Sequence, residues 1–129
     1  MAKRLAGQFA HKRVPYNVYV VLSEMRRGSP PMPSRSAIAS ALRHLAPRLP
    51  AHEFSAVVDH AIDSPGLSVA SPENAAWLSL VAYARHTMTD YEALLAEGYD
   101  RDSARHFVAG ALSELLAQWG VRRKLAPDD

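Results

Sequence analysis

The chain of 129 residues contains no cysteine, and this absence excludes several kinds of chemistry. Without thiols there is no disulfide framework, no thiolate nucleophile, no cysteine-ligated zinc and no iron–sulfur cluster. The apolar runs, such as residues 18–22 and 78–84, are far shorter than the ~20 residues that cross a bilayer. The first residues also lack the apolar core of a secretory signal. We therefore expect a soluble, cytoplasmic protein that has no membrane partner.

The patterns that usually mark a cofactor or a catalytic centre are also missing. The six glycines are scattered and form no phosphate-binding loop. The six histidines include no His-x-x-x-His pair, and no serine lies in a nucleophile-elbow pattern. The sequence therefore predicts no cofactor, no metal site and no established set of catalytic residues.

Helical periodicity is what the sequence does contain. Apolar residues recur every three or four positions over much of the chain, and hairpin turns of the Asn-Gly or Asp-Gly kind are absent. We predict an all-α, compact bundle of five or six helices, forming a single domain over residues 14–120. The clearest helices are expected over residues 35–46, 51–63, 72–86, 90–98 and 101–119.

Capping residues set the expected helix boundaries. Ser34 or Ser36 can cap the first of these helices, and Ser71 before Pro72 is a typical helix start. Asp100 or Asp102 is expected to begin the last helix. Thr89 followed three residues later by Glu92 matches a capping box, which predicts a short helix opening at Thr89.

The ends of the chain are harder to assign. Residues 1–13 have too few apolar groups to repay ordering, so we expect a mobile basic arm there. Residues 14–27 fit both strand alternation and helical spacing, and we favour a helix. Residues 28–33 are a proline-rich linker, and residues 121–129 are a charged tail.

Charge is distributed very unevenly along the chain, although the net charge is only +2. Residues 1–48 hold nine bases and one acid, whereas residues 49–102 hold two bases and nine acids. Arginine is favoured where phosphates are bound, because its planar fork contacts two phosphate oxygens at once. The predicted nucleic-acid-binding residues are Lys3, Arg4, Lys12, Arg13, Arg26, Arg27, Arg35 and Arg43.

Two functions follow from this pattern. The first is a small non-enzymatic protein that binds DNA or RNA, mostly through phosphate contacts of its basic amino-terminal region. The alternative is a protein–protein interaction or adaptor domain, a homo-oligomer in which basic and acidic surfaces of neighbouring subunits meet. The pattern does not separate DNA from RNA.

A dense polar cluster at residues 85–92 supports two further interpretations. In the first, the cluster is a helix-end network. Arg85 and His86 are cations, which are favourable at the carboxyl end of a helix, and the threonine and acidic residues that follow are favourable at the start of the next helix. The minority interpretation is an enzyme whose Arg85, His86 and Tyr91 converge on one pocket.

The same stretch carries a resemblance to a known family. Residues 82–91 resemble the Ala-x-x-Arg-His-x-x-Thr-x-Tyr core of a bacterial domain-of-unknown-function family, with Arg85, His86, Thr89 and Tyr91 at the motif positions. The similarity extends through Arg105 and Trp119 and covers roughly residues 70–120. The resemblance implies a helical fold and a bacterial origin, and it implies no activity.

Overall fold

The computed structural model describes residues 34–64, 66, 70–127 and 129. These residues form five α-helices and no strand, which confirms the predicted all-α class. The helices are α1 (Arg35–Leu45), α2 (Ala51–Asp63), α3 (Pro72–Met88), α4 (Tyr91–Ala96) and α5 (Arg101–Gln118). The predicted arm over residues 1–13, the helix over residues 14–27 and the linker over residues 28–33 lie outside the described residues.

The helices begin where side-chain oxygens can satisfy free backbone amides. The Ser34 hydroxyl accepts a hydrogen bond from the Ala37 amide at 3.0 Å, and Ser71 does the same for Asn74 at 3.1 Å. The Asp100 carboxylate accepts from the Ser103 amide at 2.7 Å. Backbone amides in the first turn of a helix have no acceptor within the helix, and each of these oxygens accepts a hydrogen bond from one of them. The predicted starts of α1, α3 and α5 are therefore confirmed.

Helix α3 lies at the centre of the domain, because each of the other four helices packs against it. Its buried side chains are therefore spread around its circumference rather than along one stripe, and they include the polar Ser79 and Arg85. Leu42 of α1, Val57 of α2 and Leu112 of α5 meet the α3 side chains in the main core. A smaller cluster of Tyr91, Ala104 and Val108 joins α4 to α5.

The junction between α3 and α4 differs from the predicted capping box. Helix α3 continues to Met88, and the Thr89 hydroxyl donates to the Arg85 carbonyl at 2.5 Å, which closes the end of α3. The same hydroxyl accepts from the Tyr91 amide at 3.2 Å, so one side chain serves two helices. Asp90 occupies the N-cap of α4 without a side-chain hydrogen bond, and the Glu92 carboxylate contacts His86 instead of Thr89. The capping-box prediction is wrong because the last carbonyls of α3 compete for the threonine hydroxyl.

Residues 121–127 pack against the bundle after α5 ends. Gly120 has a φ of +87°, a backbone conformation that glycine adopts without strain, and it turns the chain back towards the core. Val121 and Leu125 contact the main core, and the Arg123 guanidinium lies 4.3 Å from the centre of the Trp77 ring. The segment expected only as a charged tail therefore covers part of α3.

None of the helices in the described ranges is long and apolar enough to cross a membrane.

Candidate functional site

The four residues that the sequence resemblance singled out, Arg85, His86, Thr89 and Tyr91, lie together at the α3–α4 junction. Arg85 and His86 occupy the last turn of α3, Thr89 closes that helix, and Tyr91 is the first residue of α4. Arg85 and Tyr91 are buried, with 6% and 2% of their surface exposed, whereas His86 is exposed. The two buried side chains belong to the protein interior, and His86 borders the solvent.

His86 connects the two helices through its ring. Its Nδ1 atom is in hydrogen-bond contact with the Glu92 carboxylate. Its ring also meets the Tyr91 ring edge to face, with 5.0 Å between centroids, a geometry that aromatic rings prefer. These contacts are those of the helix-end network, in which a basic side chain ends one helix and an acidic side chain begins the next.

Arg85 is the least expected member of this group, because arginine is rarely buried without a charged partner. One of its terminal nitrogens, Nη2, donates to the backbone oxygen of Asp129 at 2.7 Å. Its guanidinium carbon lies 5.8 Å from the centre of the Tyr91 ring, while its Nε atom is buried without a hydrogen-bond partner. Burial lowers the pKa of Arg85, and the neighbouring charge of Arg105 lowers it further.

Two residues from other helices complete the surroundings of the motif. Arg105 of α5 is half-buried, and its Nε atom also lacks a partner. His60 of α2 is half-buried with an unpartnered Nδ1 atom; burial lowers its pKa, and His86 adds to the effect. Sequence reasoning considered His60 only as a metal ligand, which it rejected, and named Arg105 only within the family resemblance. Helical periodicity does not say which helices become neighbours.

The two clefts found in the described part of the chain lie away from the motif residues. A cleft of about 410 Å³ lies between α1 and the start of α3, next to His44 and Glu73. A second cleft of about 170 Å³ lies beside the end of α5. Arg85, His86 and Tyr91 are close together, as the enzyme interpretation expected, but none of them lines either cleft.

Two of the eight predicted nucleic-acid-binding residues fall within the described ranges, and both are exposed on α1. Arg35 forms an ion pair with Asp59 of α2 at 2.5 Å, and both side chains are 58% exposed. The guanidinium of Arg43 lies 5.0 Å from the centre of the Phe54 ring. The six others, namely Lys3, Arg4, Lys12, Arg13, Arg26 and Arg27, lie outside the described residues.

A second basic surface, which sequence reasoning missed, follows α5. The exposed consecutive bases Arg122, Arg123 and Lys124 line the 170 Å³ cleft. Arg48 lies close to this segment, since it donates to the backbone oxygens of Ala117 and Gln118, each at 3.1 Å. A cation at these carbonyls also complements the negative end of the helix dipole. We call Arg48 together with residues 122–124 the helix-end basic surface.

The fold and the junction define a small all-α domain with a buried arginine in the last turn of α3. The chain belongs to the family described as "Uncharacterized conserved protein (DUF2293)", whose model matches residues 41–120. The matched range runs from within α1 to Gly120 and so includes Arg85, Thr89, Tyr91 and Arg105. No curated protein and no solved structure matches the chain.

Proposed function

We propose that this protein is a small non-enzymatic helical protein that binds nucleic acid mainly through phosphate contacts of its basic amino-terminal region. The observation that carries the proposal is the uneven charge, with nine bases and a single acid in the first 48 residues. Such a surface gains affinity by releasing counterions from the nucleic-acid backbone, which requires no sequence-specific contact.

The contacts of the described basic residues are compatible with phosphate binding. The Arg35–Asp59 pair is solvent-exposed, and exposed pairs contribute only about 0–1 kcal/mol, so a phosphate can replace Asp59 at little cost. Arg43 rests on an aromatic ring and has no carboxylate within ion-pair distance among the described residues. Both guanidiniums therefore remain usable for a polyanion.

The helix-end basic surface extends this region. Arg48 is the last base of the amino-terminal basic segment, and its backbone amide donates to the Trp119 carbonyl at 2.9 Å. The fold thus places Arg48 at the carboxyl end of α5. Arg122, Arg123 and Lys124 follow that end within a few residues, although they are more than 70 residues away from Arg48 in sequence. Juxtaposed positive charge raises the local potential and the rate at which a polyanion is captured.

The origin of the protein, its location and the role of its motif are further parts of this proposal. A bacterial origin and a cytoplasmic location suit a chain with no cysteine and a resemblance to a bacterial family. We assign the Arg-His-x-x-Thr-x-Tyr motif a role in joining α3 to α4, because His86 and Thr89 each contact both helices.

A gel-shift titration at two salt concentrations tests the proposal, with single- and double-stranded DNA and RNA as probes. We expect affinity to fall steeply with salt, because each neutralised phosphate adds about 0.7–0.9 to the slope of log K against log salt. The double variant Arg26→Glu with Arg27→Glu should weaken binding, and Arg122→Gln with Lys124→Gln should lower the slope by about two.

Arg101→Gln is the matched control, since Arg101 is an exposed arginine at the opposite end of α5 from the helix-end basic surface. It should change the slope of log K against log salt by less than about 0.3, compared with a change of about two for the variant Arg122→Gln with Lys124→Gln. Unchanged affinity in the Arg26/Arg27 variant, or no binding to any probe at low salt, would refute nucleic-acid binding through this region.

The alternative proposal is a protein-interaction domain that assembles with copies of itself. An exposed aromatic pair favours it: Phe107 is 59% exposed, and its ring meets that of Tyr99 at 5.3 Å. Large apolar side chains grouped at a surface are typical of contact sites. Sedimentation analysis that finds a salt-sensitive dimer, together with no nucleic-acid affinity, would favour this second function.

A further inference from the structure

The 170 Å³ cleft beside the end of α5 has positive charge along one wall. That wall is formed by residues 121–125, which include three consecutive cations, and the other wall is formed by α5. Ser113 of α5 adds a hydroxyl group to the lining. No acidic residue is among the described residues that line the cleft. The cleft is therefore an open space in which cationic and hydroxyl groups surround a small volume.

The basic wall is held in place at both of its ends. The Val121 amide donates to the Leu116 carbonyl at 3.0 Å, directly after α5. The side chains of Val121 and Leu125 pack against the main core. Residues 122–124 therefore lie between two anchored positions, and a site whose backbone is already ordered loses less entropy when a ligand binds.

Arg123 is fixed by an aromatic contact. Its guanidinium carbon lies 4.3 Å from the centre of the Trp77 ring, and Trp77 itself is buried. A cation over an aromatic face interacts through its charge and uses none of its N–H donors. The donors of Arg123 therefore remain for the oxygens of an anion, which a guanidinium binds through two parallel hydrogen bonds.

No carboxylate of the described residues lies within ion-pair distance of the three cations. A further positive charge comes from Arg48, which donates to the backbone oxygens of Ala117 and Gln118, each at 3.1 Å. These carbonyls form the negative end of the helix dipole, which would otherwise disfavour an anion. The charge at the cleft is therefore positive, although the cleft lies at the carboxyl end of a helix.

We propose that this cleft binds a phosphate monoester, either a free one or the terminal phosphate of a nucleic-acid strand. A monoester phosphate carries about −1.5 to −2 charges at neutral pH and offers three acceptor oxygens. A phosphate within a strand carries a single charge. Because Coulomb energy scales with charge, three neighbouring cations favour the monoester over the internal phosphate.

The rest of the lining suits the carbon atoms of an ester. Leu116, Val121 and Leu125 contribute apolar surface to the same cleft, so a group attached to the phosphate can bury apolar area there. The strand-end source rests on the nucleic-acid binding proposed above, whereas the free monoester does not depend on it.

Methyl phosphate and dimethyl phosphate test the charge preference, because they differ by one methyl group and one ionisable oxygen. The full chain is titrated with each at constant ionic strength, at a pH above the second pKa of a monoester, which is about 6. Calorimetry measures the affinity, and tryptophan fluorescence is recorded because Arg123 lies over Trp77. We expect saturable binding of methyl phosphate that is tighter than that of dimethyl phosphate by about tenfold or more.

Variants locate the site. Arg122→Gln with Lys124→Gln should weaken methyl phosphate binding by about tenfold or more, and both side chains are exposed, so the core is unchanged. Arg123→Gln should remove the fluorescence response, because the group between the anion and Trp77 is lost. Arg101→Gln, at the opposite end of α5, should bind as the wild type does. Melting temperatures show that each variant is folded, and Arg123→Lys replaces Arg123→Gln if the glutamine variant is not.

Oligonucleotides of one sequence distinguish the two sources. They carry a terminal phosphate at one end, at the other end or at neither end. Tighter binding of a phosphorylated strand, lost in the variant Arg122→Gln with Lys124→Gln, identifies the strand end as the ligand. Equal affinity for all three strands, with methyl phosphate bound, identifies a free monoester.

Three outcomes would overturn the proposal: no saturable binding of methyl phosphate, equal affinity for the two methyl esters, or unchanged affinity in the variant Arg122→Gln with Lys124→Gln. The variant Arg26→Glu with Arg27→Glu should bind methyl phosphate as the wild type does. Methyl phosphate binding without any nucleic-acid binding would show that the proposed function has failed and the cleft has not. Salt-dependent nucleic-acid binding without methyl phosphate binding would show the reverse.

Discussion

Two glycines in the carboxyl-terminal half of the chain have opposite effects on stability. Gly120 has a φ of +87°, and a Cβ atom placed on it would lie 2.9 Å from Pro47 Cγ. Gly110 lies within α5, and a Cβ atom there would have nothing within 4 Å. Gly120 is therefore needed for the turn that follows α5, whereas Gly110 only weakens a helix.

We predict that Gly120→Ala lowers the free energy of unfolding and that Gly110→Ala raises it. The first change costs about 1–2 kcal/mol from the backbone conformation alone, and the contact with Pro47 adds to it. The second should stabilise the protein by about 0.5–1 kcal/mol, the usual cost of glycine in a helix interior. Urea unfolding of the two variants measures both values. Shifts of the same sign would contradict the backbone geometry described for these positions.

At the level of whole elements, the α3–α4 junction depends on one hydroxyl group. Thr89 donates to the carbonyl of Arg85 and accepts from the amide of Tyr91, so it satisfies one free backbone group on each helix. Only two residues separate the helices, which leaves little room for another arrangement. The orientation of α4 on α3 is thus tied to the polar atom of Thr89.

Replacing this hydroxyl with a methyl group should loosen the junction. Thr89→Val keeps the shape of the side chain and removes both hydrogen bonds, and we expect a loss of about 1–2 kcal/mol. Thr89→Ser keeps the hydroxyl and should stay within about 0.5 kcal/mol of the wild type. Thermal unfolding compares the variants, and equal melting temperatures for the valine and serine variants would show that the hydroxyl has no structural role.

The sequence predicted the helix starts better than the junction between helices. Ser34, Ser71 and Asp100 act within one turn of chain, so their role follows from the neighbouring residues alone. Thr89 had two possible partners, the end of α3 and the start of α4, and only the packed arrangement decides between them. The packing of residues 121–127 was missed for the same reason, since Val121 and Leu125 contact a core that local pattern cannot locate.

Across the whole molecule, three helices bring cationic or titratable groups together around α3. His86 of α3 lowers the pKa of His60 of α2, and Arg105 of α5 lowers the pKa of Arg85 of α3. Burial and His86 lower the pKa of His60 below its ordinary value of 6.5, while Asp63 raises it by less. The unfolded chain therefore binds a proton at His60 more readily than the folded protein does.

This difference predicts how stability depends on pH. As the pH falls below about 6.5, the unfolded state gains a proton first, so the free energy of unfolding should decrease. His60→Gln should make the stability less dependent on pH over this window, and His52→Gln, an exposed histidine on the same helix, should not. Urea unfolding between pH 7.5 and 5.5 measures the slopes. If the free energy of unfolding depends on pH equally in His60→Gln and in the wild type, His60 is not the cause of the pH dependence.

The sequence by itself determined the helical class, the helix starts and the uneven charge, because periodicity, capping and composition are local properties of the chain. Only the tertiary structure decided that Arg35 pairs with Asp59, that the buried Arg85 donates to the backbone oxygen of Asp129, and that Arg48 donates to the carbonyls at the end of α5. These residues are separated by about twenty to seventy positions, and their proximity results from the packing of four helices around α3. The free-energy cost of burying a charged side chain depends on which groups lie next to it in the folded protein. The order of residues along the chain does not specify those neighbours.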